Sequence, residues 1–177
     1  MKNNFFRIFL LLFAVILVAL SGTTYAYMIH QTQVTDNQFT PARVACEVQE
    51  TFDGTTKTSI TVKNTGNIDA YLRLRFVSYW VDASGNIVGK ASVMPDISMN
   101  TGWVLGSDGT YYYQSPVAPG EFTGELLSSP IELSKSDEGY YQVLEVFAEA
   151  IQSEPTRSVI NSWSVTLDAS GKITKVP

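Results

Sequence analysis

The residues able to do chemistry in this chain are few. His30 is the only histidine among 177 residues, and it lies in the N-terminal segment, where chain ends are least tied down. A histidine-dependent triad therefore has one possible base, and a zinc hydrolase, which usually takes two or three histidines, lacks its ligands. No H-E-x-x-H, G-x-S-x-G or P-loop pattern occurs. Glu145 and Glu149 share one face of a strand pattern, but four residues at about 3.3 Å each separate their Cα atoms by roughly 13 Å. That is long for the paired carboxylates of a glycosidase, and two solvated acids account for them better. Cys46 is the only cysteine, so an intramolecular disulfide is impossible. In "RVACEVQE" Val44, Cys46 and Val48 fall on one face, which reads as a small buried hydrophobe, with an intermolecular bridge as the alternative. Lipid attachment would need a cysteine at the cleavage site described below, which Cys46 follows by roughly twenty residues. The sequence thus offers no catalytic residue, no cofactor-binding residue and no metal ligand set, and the chain is expected not to be an enzyme.

Aromatic side chains are more plentiful. Tyr111, Tyr112 and Tyr113 are consecutive, so on a strand at least one faces away from the core; these three are the candidate surface aromatics. Tyr140, Tyr141, Trp80 and Trp103 add to the supply, and most of the set is needed to fill a core. A flat apolar face with a polar tip suits sugar stacking or protein contact. Arg73 and Arg75 fall on the solvated side of their strand, within reach of acids on a neighbouring strand or another subunit.

The elements that position these groups are strands. From residue 43 onward apolar residues recur with period two, broken by turn residues. "RVACEVQE" and "KTSITVKN" flank Asp53-Gly54, and Asn64-Thr65-Gly66-Asn67 ends the second. The longest run is Ala70 to Val81, with Leu72, Leu74, Phe76 and Trp80 on a core face and Tyr71, Arg73, Arg75, Val77 and Tyr79 on a solvated one. Tyr141 to Gln152 carries apolar residues on both faces, which predicts a strand in the middle of a sandwich. "DASG" occurs twice, at 82–85 and 168–171, and reads as two hairpin turns of similar type; calcium loops would need more oxygen ligands. The one helical signal is "PTRSVINSW", opened by Pro155 and Thr156. The expected fold is all-β: an antiparallel β-sandwich of about eight or nine strands with at most one short helix. Periodicity leaves immunoglobulin-like and jelly-roll strand orders both open.

The N-terminus sets the compartment. Lys2 and Arg7 precede the unbroken apolar run Ile8–Leu20, which at thirteen residues is short of the roughly 20 that span a bilayer. Small residues follow, and Thr24-Tyr25-Ala26 offers a cleavage site between Ala26 and Tyr27. An uncleaved anchor from Phe5 to Ala26 is the alternative. The expected organisation is a signal peptide over residues 1–26, an extended segment over 27–42 and one domain over 43–177, with no stable membrane insertion after cleavage. Removal of Lys2 and Arg7 takes the net charge from −5 to −7, which disfavours nucleic acid and anionic lipid as partners.

The ordered set "TYAYMI", "NQFTPARVACEVQE", "VKNTGNIDAYLRLRF", "DGTYYYQSPVAPGE" and "LEVFAEAIQ" resembles the TasA/camelysin family across the chain from the signal onward. These are secreted proteins of Gram-positive bacteria, processed by a SipW-type (endoplasmic-reticulum-like) signal peptidase. The resemblance implies a jelly-roll sandwich and a non-enzymatic structural protein of the cell surface or biofilm matrix. It also implies fibres built by self-association or with related matrix subunits, the segment exposed by cleavage acting as donor strand. Here that segment runs from about Tyr27 to Thr40, with Val34 and Phe39 as its apolar pegs. The chain departs from the family in being short beside its fibre-forming members. It also lacks a zinc motif, so the metalloprotease label given to camelysin relatives is not carried over. The alternative function is a monomeric surface module that binds glycan or protein through exposed aromatics.

Overall fold

The computed structural model describes residues 4–17 and 40–177. The chain divides into two units, residues 1–40 and 41–177. In the first, residues 4–17 form helix α1, which takes in residues 8–17 of the apolar run Ile8–Leu20 read above as part of a signal peptide. No helix among the described residues is long and apolar enough to cross a membrane. With α2 (Arg157–Trp163) the described residues hold two helices, where at most one short helix was expected. Periodicity from residue 43 onward carries no information about the N-terminal run.

The second unit is mostly β, and its paired strands are antiparallel. β1 (Cys46–Phe52), β2 (Thr56–Asn64) and β7 (Ile131–Glu132) form one sheet in the order β1-β2-β7. The larger sheet is organised about β3 (Ala70–Val81) and β8 (Tyr141–Gln152), which pair along all twelve residues of each. On its other side β3 pairs with β6 (Tyr111–Tyr113) near its start and with β4 (Ile87–Val88) at its end, and β5 (Trp103–Leu105) lies beyond β6. β9 (Thr166–Leu167) and β10 (Ile173–Lys175) make a separate hairpin.

Period two explains the main core. Ile60 and Val62 of β2 meet Leu72, Leu74 and Phe76 of β3 and Leu144 of β8 in one cluster drawn from both sheets. Each such side chain contributes about 1.5–3 kcal/mol on burial. The opposite face of β3 departs from expectation. Its first half is covered rather than solvated: Tyr71 is buried with Tyr112, Val159, Trp163 and Ile173 under α2 and the β9–β10 hairpin. Arg73 extends over this second cluster, its guanidinium 4.7 Å from the centre of the Trp163 ring and hydrogen-bonded to Glu149 on β8 at 2.5 and 3.0 Å. Only farther along, at Arg75 and Val77, is that face exposed.

Two local devices hold the chain's course. In "VKNTGNID" the buried Asn64 donates from Nδ2 to the carbonyls of Ile68 and Val117, both at 2.8 Å, and accepts from the Gly66 amide at 2.9 Å. Asn67 accepts the Arg43 amide at 2.6 Å and donates to the Pro41 carbonyl at 3.0 Å. The entering segment passes so near Gly66 that a Cβ there would sit 2.4 Å from the Arg43 carbonyl oxygen. Gly66→Ala must push that backbone away, with an expected loss of about 1–3 kcal/mol in a denaturant titration.

The two DASG segments are similar turns, as expected. Asp82 accepts the amides of Ser84 and Asn86, Asp168 those of Ser170 and Lys172, all at 2.8–2.9 Å, and Gly85 and Gly171 take φ of 83° and 79°. The side chain of Asn86 in one case and of Ser170 in the other does most to hold these carboxyls below the ordinary range. A carboxyl lowered on folding adds stability above its unfolded value, about 3.9, and loses it as pH falls further. The melting temperature of the Asp82→Ala/Asp168→Ala variant should therefore lie below wild type at pH 7 and converge with it toward pH 2.

Candidate strand-accepting edge

β8 reads "YQVLEVFAEAIQ", twelve residues without glycine, proline, lysine or arginine. Its ladder with β3 runs without a register shift, so at about 3.3 Å per residue it forms a straight edge roughly 40 Å long. The far side of that edge is paired only at its beginning. The Gln142 amide donates to the Ser134 carbonyl at 2.9 Å, and Lys135 bridges Tyr141. From Val143 to Gln152 no other strand among the described residues pairs with it. Apolar residues on both faces predicted a strand in the middle of a sandwich, which concerns what covers its faces; laterally, among the described residues, β8 lies at the edge of its sheet. Leu144 faces the core and Ile151 packs against the second cluster, while Phe147 stays 46% exposed, so two-faced apolarity here does not mean two flanking strands.

β1 lies alongside β8 but pairs only with β2. Between the two strands opens a cavity of about 400 Å³, with Val48, Phe52, Leu133 and Val143 on its walls. A half-buried ion pair stands in it: the ammonium of the buried Lys57 is 2.6 Å from the exposed Glu50 and 5.0 Å from the centre of the Phe52 ring. Burial and the neighbouring Glu145 carboxylate raise the Tyr79 hydroxyl, which stays protonated. The Cys46 thiol is pushed up by burial and by Glu149, so the half-buried side chain is a weak nucleophile, in keeping with its reading as a small hydrophobe. In the groove Lys57 offsets Glu50, while Glu145 has no ion-pair partner among the described residues. Along β8 a row of amides and carbonyls is also without a strand partner among the described residues.

The sequence-derived residues fall in three places. Ala26, Tyr27, His30, Val34 and Phe39 lie outside the described residues. Tyr111, Tyr112 and Tyr113 form β6, and here the surface reading is corrected. Tyr111 is buried edge-on against Phe76, and Tyr112 is buried beside Trp163. Tyr113 is half-buried, tilted on Trp103. Both faces of β6 are covered, one by the main core and the other by α2, which a run of three tyrosines does not reveal. Glu145 and Glu149 share the outer face of β8, as their spacing required, and Glu149 is held by Arg73. Arg75 reaches Asp108 at 3.9 Å. Among the described residues no three His, Cys, Asp or Glu side chains converge on a possible metal site.

The edge itself escaped sequence reasoning. Its one signal was the absence from β8 of the lysines, prolines and bulges that ordinarily guard an edge strand. The chain has no significant match among protein-family models, curated proteins or solved structures.

Proposed function

We propose that this is a secreted, non-enzymatic structural protein of the cell surface or biofilm matrix. Its subunits join by strand addition. After a SipW-type peptidase cuts between Ala26 and Tyr27, segment 27–42 of one subunit pairs with β8 of the next, and Val34 and Phe39 seat its side chains. The observation that supports this most is the ten-residue stretch of β8, Val143 to Gln152, whose outer side pairs with no other strand among the described residues and which carries no lysine, proline or bulge. Such an edge is a template for an added strand, whose main-chain hydrogen bonds give affinity while alternate side chains give specificity. The donor is long enough, with fourteen residues from Tyr27 to Thr40 against the twelve of β8. It also leaves the domain at a fixed point, where Asn67 grips Pro41 and Arg43. Donor and acceptor are different surfaces, so the contact is heterologous, and addition that does not close gives filaments. On this reading the two sheets form a jelly-roll-like sandwich that the incoming strand completes along its open side.

The protein beginning at Tyr27 should form filaments visible by electron microscopy and elute as a ladder in size-exclusion chromatography. The protein beginning at Pro41 should remain monomeric at the same concentration. Phe147→Lys places a cation on the accepting strand without entering the core, and should abolish filaments while leaving the melting temperature within a few degrees of wild type. Monomers from the Tyr27 form at high concentration would remove the basis for self-assembly.

A further inference from the structure

Trp80 stands apart from the other two tryptophans. Trp103 and Trp163 are each 5% exposed, whereas Trp80, at the end of β3, remains half-buried and lines a cavity of about 480 Å³. The cavity wall is built. Gln142, itself 8% exposed, accepts the Ser134 amide at 3.0 Å and donates to the Val93 carbonyl at 2.8 Å and to the Ser78 and Ser92 hydroxyls at 3.0 and 3.2 Å. Trp80 donates from Nε1 to the Ala91 carbonyl at 3.1 Å. The 91–93 stretch is therefore fastened to the sheet by a buried amide and an indole, which preorganises the cavity.

Its chemistry is uneven. Val93 is 82% exposed and Met94 44%, and with Pro95 and Pro130 they make an aliphatic lip. Beside them stand Asp96 and Glu132, which line the cavity and have no hydrogen bond or ion pair among the described residues. No lysine or arginine lines the cavity. The nearby Lys90 is already paired with Glu138 at 2.6 Å, and its ammonium lies 5.9 Å from the Trp80 ring centre.

We propose that this cavity is a docking site for a protein partner presenting a lysine or arginine between apolar residues. The methylene stem lies along the Met94, Pro130 and Trp80 surface, and the charged head meets Asp96 and Glu132. Long basic side chains combine an apolar stem with a charged tip in this way. Met-lined surfaces adapt to peptide side chains, whereas sugars favour flat aromatic platforms. The occupant is not the donor segment of another copy, because residues 27–40 contain neither lysine nor arginine. The site thus points to a second kind of partner.

Because Trp80 is the most exposed of the three tryptophans, intrinsic fluorescence reports on the site. The protein beginning at Tyr27 would be titrated with the capped pentapeptide Leu-Lys-Leu-Lys-Leu, its Leu-Glu-Leu-Glu-Leu counterpart and cellohexaose. The lysine peptide should give a saturable blue shift that weakens with salt, and the other two should give none. Asp96→Asn/Glu132→Gln should weaken the lysine peptide about tenfold, and Trp80→Phe should remove the shift. No saturable shift, an equal response to the glutamate peptide, an unaffected carboxylate variant or a response to cellohexaose alone would each overturn the proposal. Phe147→Lys lies outside the cavity and should bind the peptide as wild type does, so loss of assembly and loss of this site are separable.

Discussion

The β3–β8 ladder is the constraint on which the rest of this structure depends. Twelve residues of each strand pair without a bulge, and every other part of the larger sheet is arranged around β3. Its inner face supplies Leu72, Leu74, Phe76 and Leu144 to the core shared with the smaller sheet. Its outer face, at Tyr71 and Ile151, forms the floor on which α2 and the β9–β10 hairpin rest. The same ladder creates the exposed feature: a strand that satisfies one side of its backbone through β3 has a second side to satisfy, and from Val143 onward β8 pairs with no other strand among the described residues. Edge strands are commonly shortened, bulged or charged to prevent association. β8 is long, free of bulges and free of cations, with Glu145 and Glu149 as its charged residues.

Much of this was legible beforehand. Ala70–Val81 and Tyr141–Gln152 are strands over the ranges that periodicity marked, the DASG pair are turns, and a helix follows Pro155 and Thr156. Local patterns encode those features: alternation, a carboxylate two residues before an amide, glycine where φ is positive. The misses share one physical cause. Periodicity says that a face is apolar but not what covers it. Tyr71 looked solvated because nothing near it in sequence announces that Val159 and Trp163 will pack over it. Tyr111 and Tyr112 are both buried because a short helix covers the second face of β6. For β8 the two apolar faces are accounted for by Leu144, buried, and Ile151, half-buried, on opposite faces, whereas lateral pairing depends on backbone neighbours that side-chain pattern does not record.

The functional expectation rested on exclusion and resemblance. One histidine, one cysteine and the absence of hydrolase motifs argued against chemistry. The Asn64–Asn67 turn gives the motif "VKNTGNID" a physical role, since it fixes where the N-terminal segment enters the domain. A fixed exit point and a strand edge without a partner among the described residues would allow the proposed joint between copies, and the Trp80 cavity meets β8 only at Gln142, before the stretch from Val143 onward.

The most direct test of the account is amide hydrogen exchange along β8, followed residue by residue in the protein beginning at Pro41, alone and with a peptide spanning residues 27–40. Alone, amides from Val143 to Gln152 should alternate between slow exchange, where they donate to β3, and fast exchange, where they face outward. With the peptide bound, the fast set should become slow while the slow set is unchanged. Protection of the outward amides in the isolated domain, or no change when the peptide is added, would contradict the claim that β8 is an open edge awaiting a strand.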